Sequence, residues 1–144
     1  MRDLLLACAH HLLVFGLVGL VAAEAALVRP GLAGAELARL GQLDLAYGIV
    51  AGLVLAAGFG RVFLGAKGPA FYLENPVFHA KLGAFLAVGL LSVVPTLRVL
   101  RWRKSAASPP PGEVRLIRRF LLAELGVLAA IPLLAAAMAR GYGL

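Results

Sequence analysis

Residues 4–28, LLLACAHHLLVFGLVGLVAAEAALV, decide how the rest of this chain is read. The run is about 25 residues long, and its basic and acidic side chains are His10, His11 and Glu24. A helix that crosses a bilayer needs about 20 mostly apolar residues, whereas the apolar part of a cleaved signal peptide is about 7–15. The stretch therefore reads as a permanent span. Three more blocks of the same kind follow: Leu43–Leu64, Phe78–Leu100 and Phe120–Ala139. None alternates with the two-residue period of a membrane strand. The sequence predicts an all-α polytopic membrane protein, a four-transmembrane-helix bundle in a single domain over residues 1–144, with helices at about 4–28, 43–64, 78–100 and 120–139.

Composition agrees with that reading. Of the 144 residues, 62% are hydrophobic and 15% charged, and the mean hydropathy is +0.94. Soluble domains carry about 45–50% apolar and about 25% charged residues, so this chain lacks the polar surface to cover a water-soluble globule. The net charge of +7 sits beside the apolar runs. It points to membrane topology and anionic headgroups rather than to nucleic acid. The single cysteine, Cys8, excludes an internal disulfide and a CxxC motif. A P-loop, an HExxH zinc signature and a GxSxG nucleophile turn are all absent, so soluble-enzyme chemistry has no support.

The connections carry the turn signals. Arg29–Gln42 opens on the helix-stopping Arg29-Pro30-Gly31, and its segment 35–40 predicts one or two turns along the interface. Gly65–Val77 contains Gly68-Pro69 and Asn75-Pro76 around Ala70-Phe71-Tyr72-Leu73, predicting a folded surface loop or a short re-entrant piece. Arg101–Arg119 predicts a basic cytoplasmic loop with a flexible, proline-rich tip over Ser105–Gly112. With the first and third connections on one side, that side holds nine basic residues: Arg29, Arg39, Arg98, Arg101, Arg103, Lys104, Arg115, Arg118 and Arg119. The other holds Arg2, Arg61, Lys67, Lys81 and Arg140. The positive-inside rule then predicts both termini on the periplasmic or exterior face. Trp102, Tyr72 and Tyr142 fit interfacial aromatic belts.

An ionisable group at mid-span costs about 2.5–3.5 kcal/mol on insertion scales, so each asks for a partner or a task. Depth along the helices sorts the candidates into two layers. The outer layer has His10 and His11 on the first span, His79 and Lys81 at the start of the third, and Arg61 near the end of the second. Met138 and Arg140 approach it from the fourth. The inner layer has Glu24, Asp44, Arg98 and Glu124, one from each span, with Arg118 and Arg119 beside Glu124. His10 and Glu24 fall within about 40° on one helix face, and Lys81 and Ser92 within about 20° on another. An interfacial ion pair, Glu124 with Arg98 or Glu24 with an arginine, accounts for the inner layer, with a proton relay as the alternative. Gly48, Gly52, Ala56 and Gly60 form a small-xxx-small ridge read as helix packing.

The stretches MRDLLLACAHHLLVF, DLAYGIVAGLVLAAG, GAKGPAFYLENPVF, PTLRVLRWRK and LAELGVLAAIPLLAAAMARG together resemble the bacterial membrane-protein family labelled domain of unknown function 2214. That resemblance implies a multi-pass protein of the bacterial inner membrane and carries no reaction. A shorter pattern, His10, the quartet His79-Ala80-Lys81-Leu82, a basic loop and Glu124, is similar to HemJ-type protoporphyrinogen oxidases, small four-helix membrane proteins that bind haem b. A histidine expected later in the third helix of that family is missing here, with Ser92 near its place. The similarity implies a haem b-binding, redox-linked protein with His10 on the iron and with His79 and Lys81 nearby. Two other readings stand beside it. One is an accessory or assembly subunit of a larger membrane complex or a homo-oligomer, motivated by the small-residue ridge. The other is a copper-handling protein using Cys8, His10, His79 and Met138.

Overall fold

A computed structural model describes residues 1–105 and 107–143. Residue 106 of the proline-rich tip and the Arg2 and Asp3 side chains lie outside what it describes. Among the described residues five helices follow one another: α1 (Arg2–Leu27), α2 (Gly34–Leu64), α3 (Gly68–Leu73), α4 (Pro76–Ser105) and α5 (Pro111–Ala139). All but α3 are long and apolar enough to cross a membrane. The protein is thus a multi-pass membrane protein whose lipid-facing surface carries Phe15, Leu45, Leu86, Leu90 and Leu133, all exposed.

The chain reverses where its local chemistry demands it. After α1 the Val28 N–H still bonds the Glu24 carbonyl at 2.9 Å, then Pro30 ends the ladder and Gly31 turns the chain at φ 85°. The long helices close a ring in which α1 packs on α2 and α5, and α4 packs on α2 and α5. Short connections make α1–α2 and α4–α5 antiparallel hairpins. Leu17, Leu40, Ile117, Leu121 and Leu128 fill the centre and are fully buried. Between helices in lipid the cohesion comes from close packing rather than from water exclusion.

Three helix ends differ from the sequence reading. The segment over 35–40 is not a separate interfacial piece but the start of α2, because Leu37, Leu40 and Gly41 are buried against the core. The loop expected over Arg101–Arg119 is mostly helix, since α4 continues to Ser105 and α5 begins at Pro111. A hydropathy window ends where charge begins, yet one apolar residue per turn is enough to hold a helix on its neighbour. Val99 and Trp102 on α4 and Val114 and Ile117 on α5 supply those residues, and all four are buried. Glu113 closes the hairpin by accepting from Arg98 Nη1 at 2.6 Å and from Trp102 Nε1 at 2.8 Å. Pro111 stands at the start of α5, where its missing N–H costs nothing. Pro95 and Pro132 lie inside α4 and α5 and each removes one bond from the helical ladder.

The second connection is folded, with α3 as its core. Tyr72 is buried with Val62 and Met138, and its ring lies edge-on to Phe71 and Phe78 at centroid distances of 5.3 and 5.7 Å. Asn75 caps α4: its Oδ1 accepts the Val77 N–H at 2.8 Å while its Nδ2 donates to the Tyr142 carbonyl at 3.4 Å. Gly143, at φ 87°, sits so close that an added Cβ would meet Asn75 Oδ1 at 2.7 Å. The cap thus ties the C-terminal turn to the start of α4. Asn75→Ala is expected to cost about 2 kcal/mol, the upper end for a lost helix cap, because a fully buried side chain goes with it. A lowered thermal midpoint in detergent checks this, and an unchanged midpoint would remove the cap from the account.

Most of the small-residue ridge meets none of this chain's own helices. A Cβ added at Gly48 or Gly52 meets nothing within 4 Å, and Ala56 is exposed. Only Gly60 has a neighbour, with Leu6 Cδ2 at 3.7 Å from such a Cβ. The ridge lies on the outer side of α2.

Candidate functional site

At the end of the bundle where α3 lies, a cavity of about 110 Å³ opens among α1, α2, α3 and α4. Its walls are Val54, Val62, Tyr72, Phe78 and Phe85, and its mouth carries the exposed Leu55, Phe59 and Leu82. Three basic side chains reach it from three helices: His10, Arg61 and Lys81. Among the described residues no carboxylate lines it. His10 Nδ1 and Arg61 Nε are buried and have no hydrogen-bond partner. Gly58 lies beside the imidazole, where a Cβ would stand in ordinary contact at 3.4 Å from His10 Cε1. Lys81 Nζ lies 5.9 Å from the centre of the Phe78 ring, within reach of its electron-rich face.

His79 is not brought to this cavity. Its ring is exposed, and Nε2 donates to the Leu73 carbonyl at 2.8 Å, fastening the end of α3 to the first turn of α4. His11 is likewise exposed and donates from Nδ1 to the Ala7 carbonyl at 2.6 Å. The candidate copper ligands are dispersed: Cys8 is exposed, His79 is held by Leu73, and Met138 is buried beside Val62 and Tyr72. Among the described residues no group of three or more His, Cys, Asp or Glu could hold a metal ion.

Deeper in the bundle, Glu24, Asp44 and Glu124 are buried, at 2%, 9% and 1% exposure. Each comes from a different helix. Tyr47, one turn after Asp44, donates its hydroxyl to Glu124 Oε1 at 3.2 Å. Thr96 Oγ1, just after the proline of α4, donates to Asp44 Oδ1 at 2.6 Å. Glu24 Oε1 is buried without a partner. The ion pair expected here is therefore not formed. Arg98 reaches Glu113 instead, because the unforeseen first turns of α5 place that carboxylate beside it. Arg103 acts on Asp44 from α4, and its side chain lies across Gly41, where a Cβ would overlap it.

Sequence reasoning did not single out Tyr47, Thr96, Gly58 or Arg103 for these sites. Tyr47 follows Asp44 by three residues, which places both on one helix face. Thr96 and Arg103 carry no such local sign, since their partners stand on another helix.

No curated protein and no solved structure matches the chain. Residues 2–143 match the profile of the family described as predicted membrane protein, domain of unknown function 2214. Coverage of nearly the whole length, by four spans as the fold displays them, makes the chain a member of that family.

Proposed function

We propose that the protein binds a membrane-dissolved molecule, largely apolar and carrying an acidic group, in the cavity bounded by His10, Arg61 and Lys81. The observation that carries this reading is the pair of buried, unpartnered nitrogens, His10 Nδ1 and Arg61 Nε, on an otherwise apolar wall. A buried donor left unsatisfied costs about 1–3 kcal/mol, so two at one cavity favour a ligand that supplies acceptors. Apolar walls and a lipid-facing mouth select the remainder of the molecule.

Haem b belongs to this chemical class and is the first candidate. His10 offers a ring nitrogen without a competing bond, and Arg61 and Lys81 offer charge to carboxylates. The fit extends to one imidazole, since His79 is engaged elsewhere, and to one edge of the macrocycle, since a cavity of about 110 Å³ leaves the rest in the lipid-facing mouth. When bound, haem would supply a one-electron redox centre. His10 would orient it, and the aromatic wall would keep water from it. A reduced-minus-oxidised spectrum of protein purified after growth with ample haem tests this. The expected result is a haem b spectrum that His10→Ala removes. No haem band, or a band indifferent to His10→Ala, would discard haem and leave an iron-free acidic amphiphile, sought by mass spectrometry of the copurified lipid fraction.

A second reading, association with a further membrane subunit or another copy of the chain, has one observation in its favour. Gly48, Gly52 and Ala56 present a shallow, unoccupied groove on the outside of α2, where another helix could approach closely. Native electrophoresis in mild detergent tests it, and a lone monomer would count against it.

A further inference from the structure

Three carboxylates from three helices, Glu24, Asp44 and Glu124, are buried inside the bundle, and among the described residues none of them forms a salt bridge. Ionised together in a span they would cost several kcal/mol each. Something positive must accompany them. The geometry argues against a metal ion, because among the described residues no group of three such side chains could hold one. The hydrogen bonds argue for protons. Tyr47 and Thr96 each spend their single hydroxyl proton on Glu124 and Asp44, so neither can serve Glu24. Glu24 is 2% exposed, and its Oε1 has no donor.

We propose that Glu24, Asp44 and Glu124, with Tyr47 and Thr96, form an intramembrane proton-binding site loaded from the end of the bundle where Arg103 stands. The reading is independent of what occupies the His10 cavity. The surroundings of Glu24 are named from every side: Asp44 and Tyr47 from α2, and Glu124 from α5. On α4, Thr96 and Arg103 act on Asp44. Arg103, the cation near Asp44, also lines a separate recess with Gly34, Leu37 and Ala38 at the start of α2. A proton taken from water there adds to a carboxylate oxygen and gives a neutral carboxyl. The neutral carboxyl keeps that proton within the span, and release to water reverses the step. No electron moves.

Infrared difference spectroscopy of the full-length protein in lipid nanodiscs, titrated from neutral to alkaline pH, tests the proposal. The expected result is a carboxylic-acid carbonyl band at neutral pH that shifts in heavy water and vanishes in alkali. Glu24→Gln should lose part of the band, and the Glu24→Gln, Glu124→Gln double variant most of it. Glutamine imitates the protonated acid in shape and charge, so both variants should keep their helical circular dichroism. Absence of the band in the parent protein overturns the proposal, as does a band equally strong in folded Glu24→Gln and Glu124→Gln proteins. Loss of the band on adding sodium at constant pH would assign the site to a metal cation instead and also overturns it.

Discussion

Glu113→Ala is expected to loosen α4 from α5 at their polar end and to cost about 3 kcal/mol of stability. Two bonds disappear together, from Arg98 Nη1 and from Trp102 Nε1, and the second donor belongs to a side chain only 3% exposed. Hydrogen bonds to charged groups contribute about 1.5–3 kcal/mol each. Arg98 and Glu113 are 32% and 31% exposed, so water takes up part of the loss on the arginine side and keeps the sum at the lower end. The indole N–H has no such relief. Glu113→Gln retains one acceptor and should recover about half. Thermal unfolding in detergent, followed by circular dichroism, reads both variants. A Glu113→Ala protein as stable as the parent would mean that packing of Trp102, Val114 and Ile117 alone holds the hairpin.

The second large effect concerns the cavity. Arg61→Ala should weaken binding of an acidic amphiphile by about 10- to 100-fold, the equivalent of one charge-assisted hydrogen bond. Its guanidinium is the group whose Nε is buried and unpartnered, whereas Lys81 can retreat toward the Phe78 ring. Lys81→Ala is therefore expected to have the smaller effect. Lys104→Ala, an exposed cation at the end of α4, should have none. Binding of a long-chain fatty acid and of haem b to the purified protein supplies the measurement. Equal losses from all three changes would show a diffuse charge effect rather than a site.

The parts legible in the sequence were those written locally. Twenty-odd apolar residues in a row mark a span whatever surrounds them, and Asn75-Pro76 marks a boundary by its own chemistry. The depth of His10 and of Lys81 along their helices placed both at one level, and the structure brings them to one cavity. His79 shared that level but not the direction, because the carbonyl of Leu73 holds it outward. The ends of α4 and α5 were hidden by their charge: Arg101, Arg103, Arg115, Arg118 and Arg119 lower the hydropathy while Val99, Trp102, Val114 and Ile117 do the packing. That misplacement carried a second one. With Glu113 read as loop, Arg98 had no near carboxylate, and Glu124 was offered in its stead. The inner carboxylates are found by position, but that none of them ends in one of the described salt bridges depends on where every arginine ends up, which no single helix states.

The extended α4–α5 hairpin also bears on how the molecule can be handled. At 1.5 Å per residue, the 30 residues of α4 span about 45 Å, against a hydrocarbon layer of about 30 Å. A helical pair closed by an inter-helix carboxylate clamp is a stiff post. A rigid protein grafted into its tip at the exposed Ser108 would inherit that stiffness, giving a fiducial large enough to align images of a 15.0 kDa particle and a tag whose accessibility reports the side on which the tip stands.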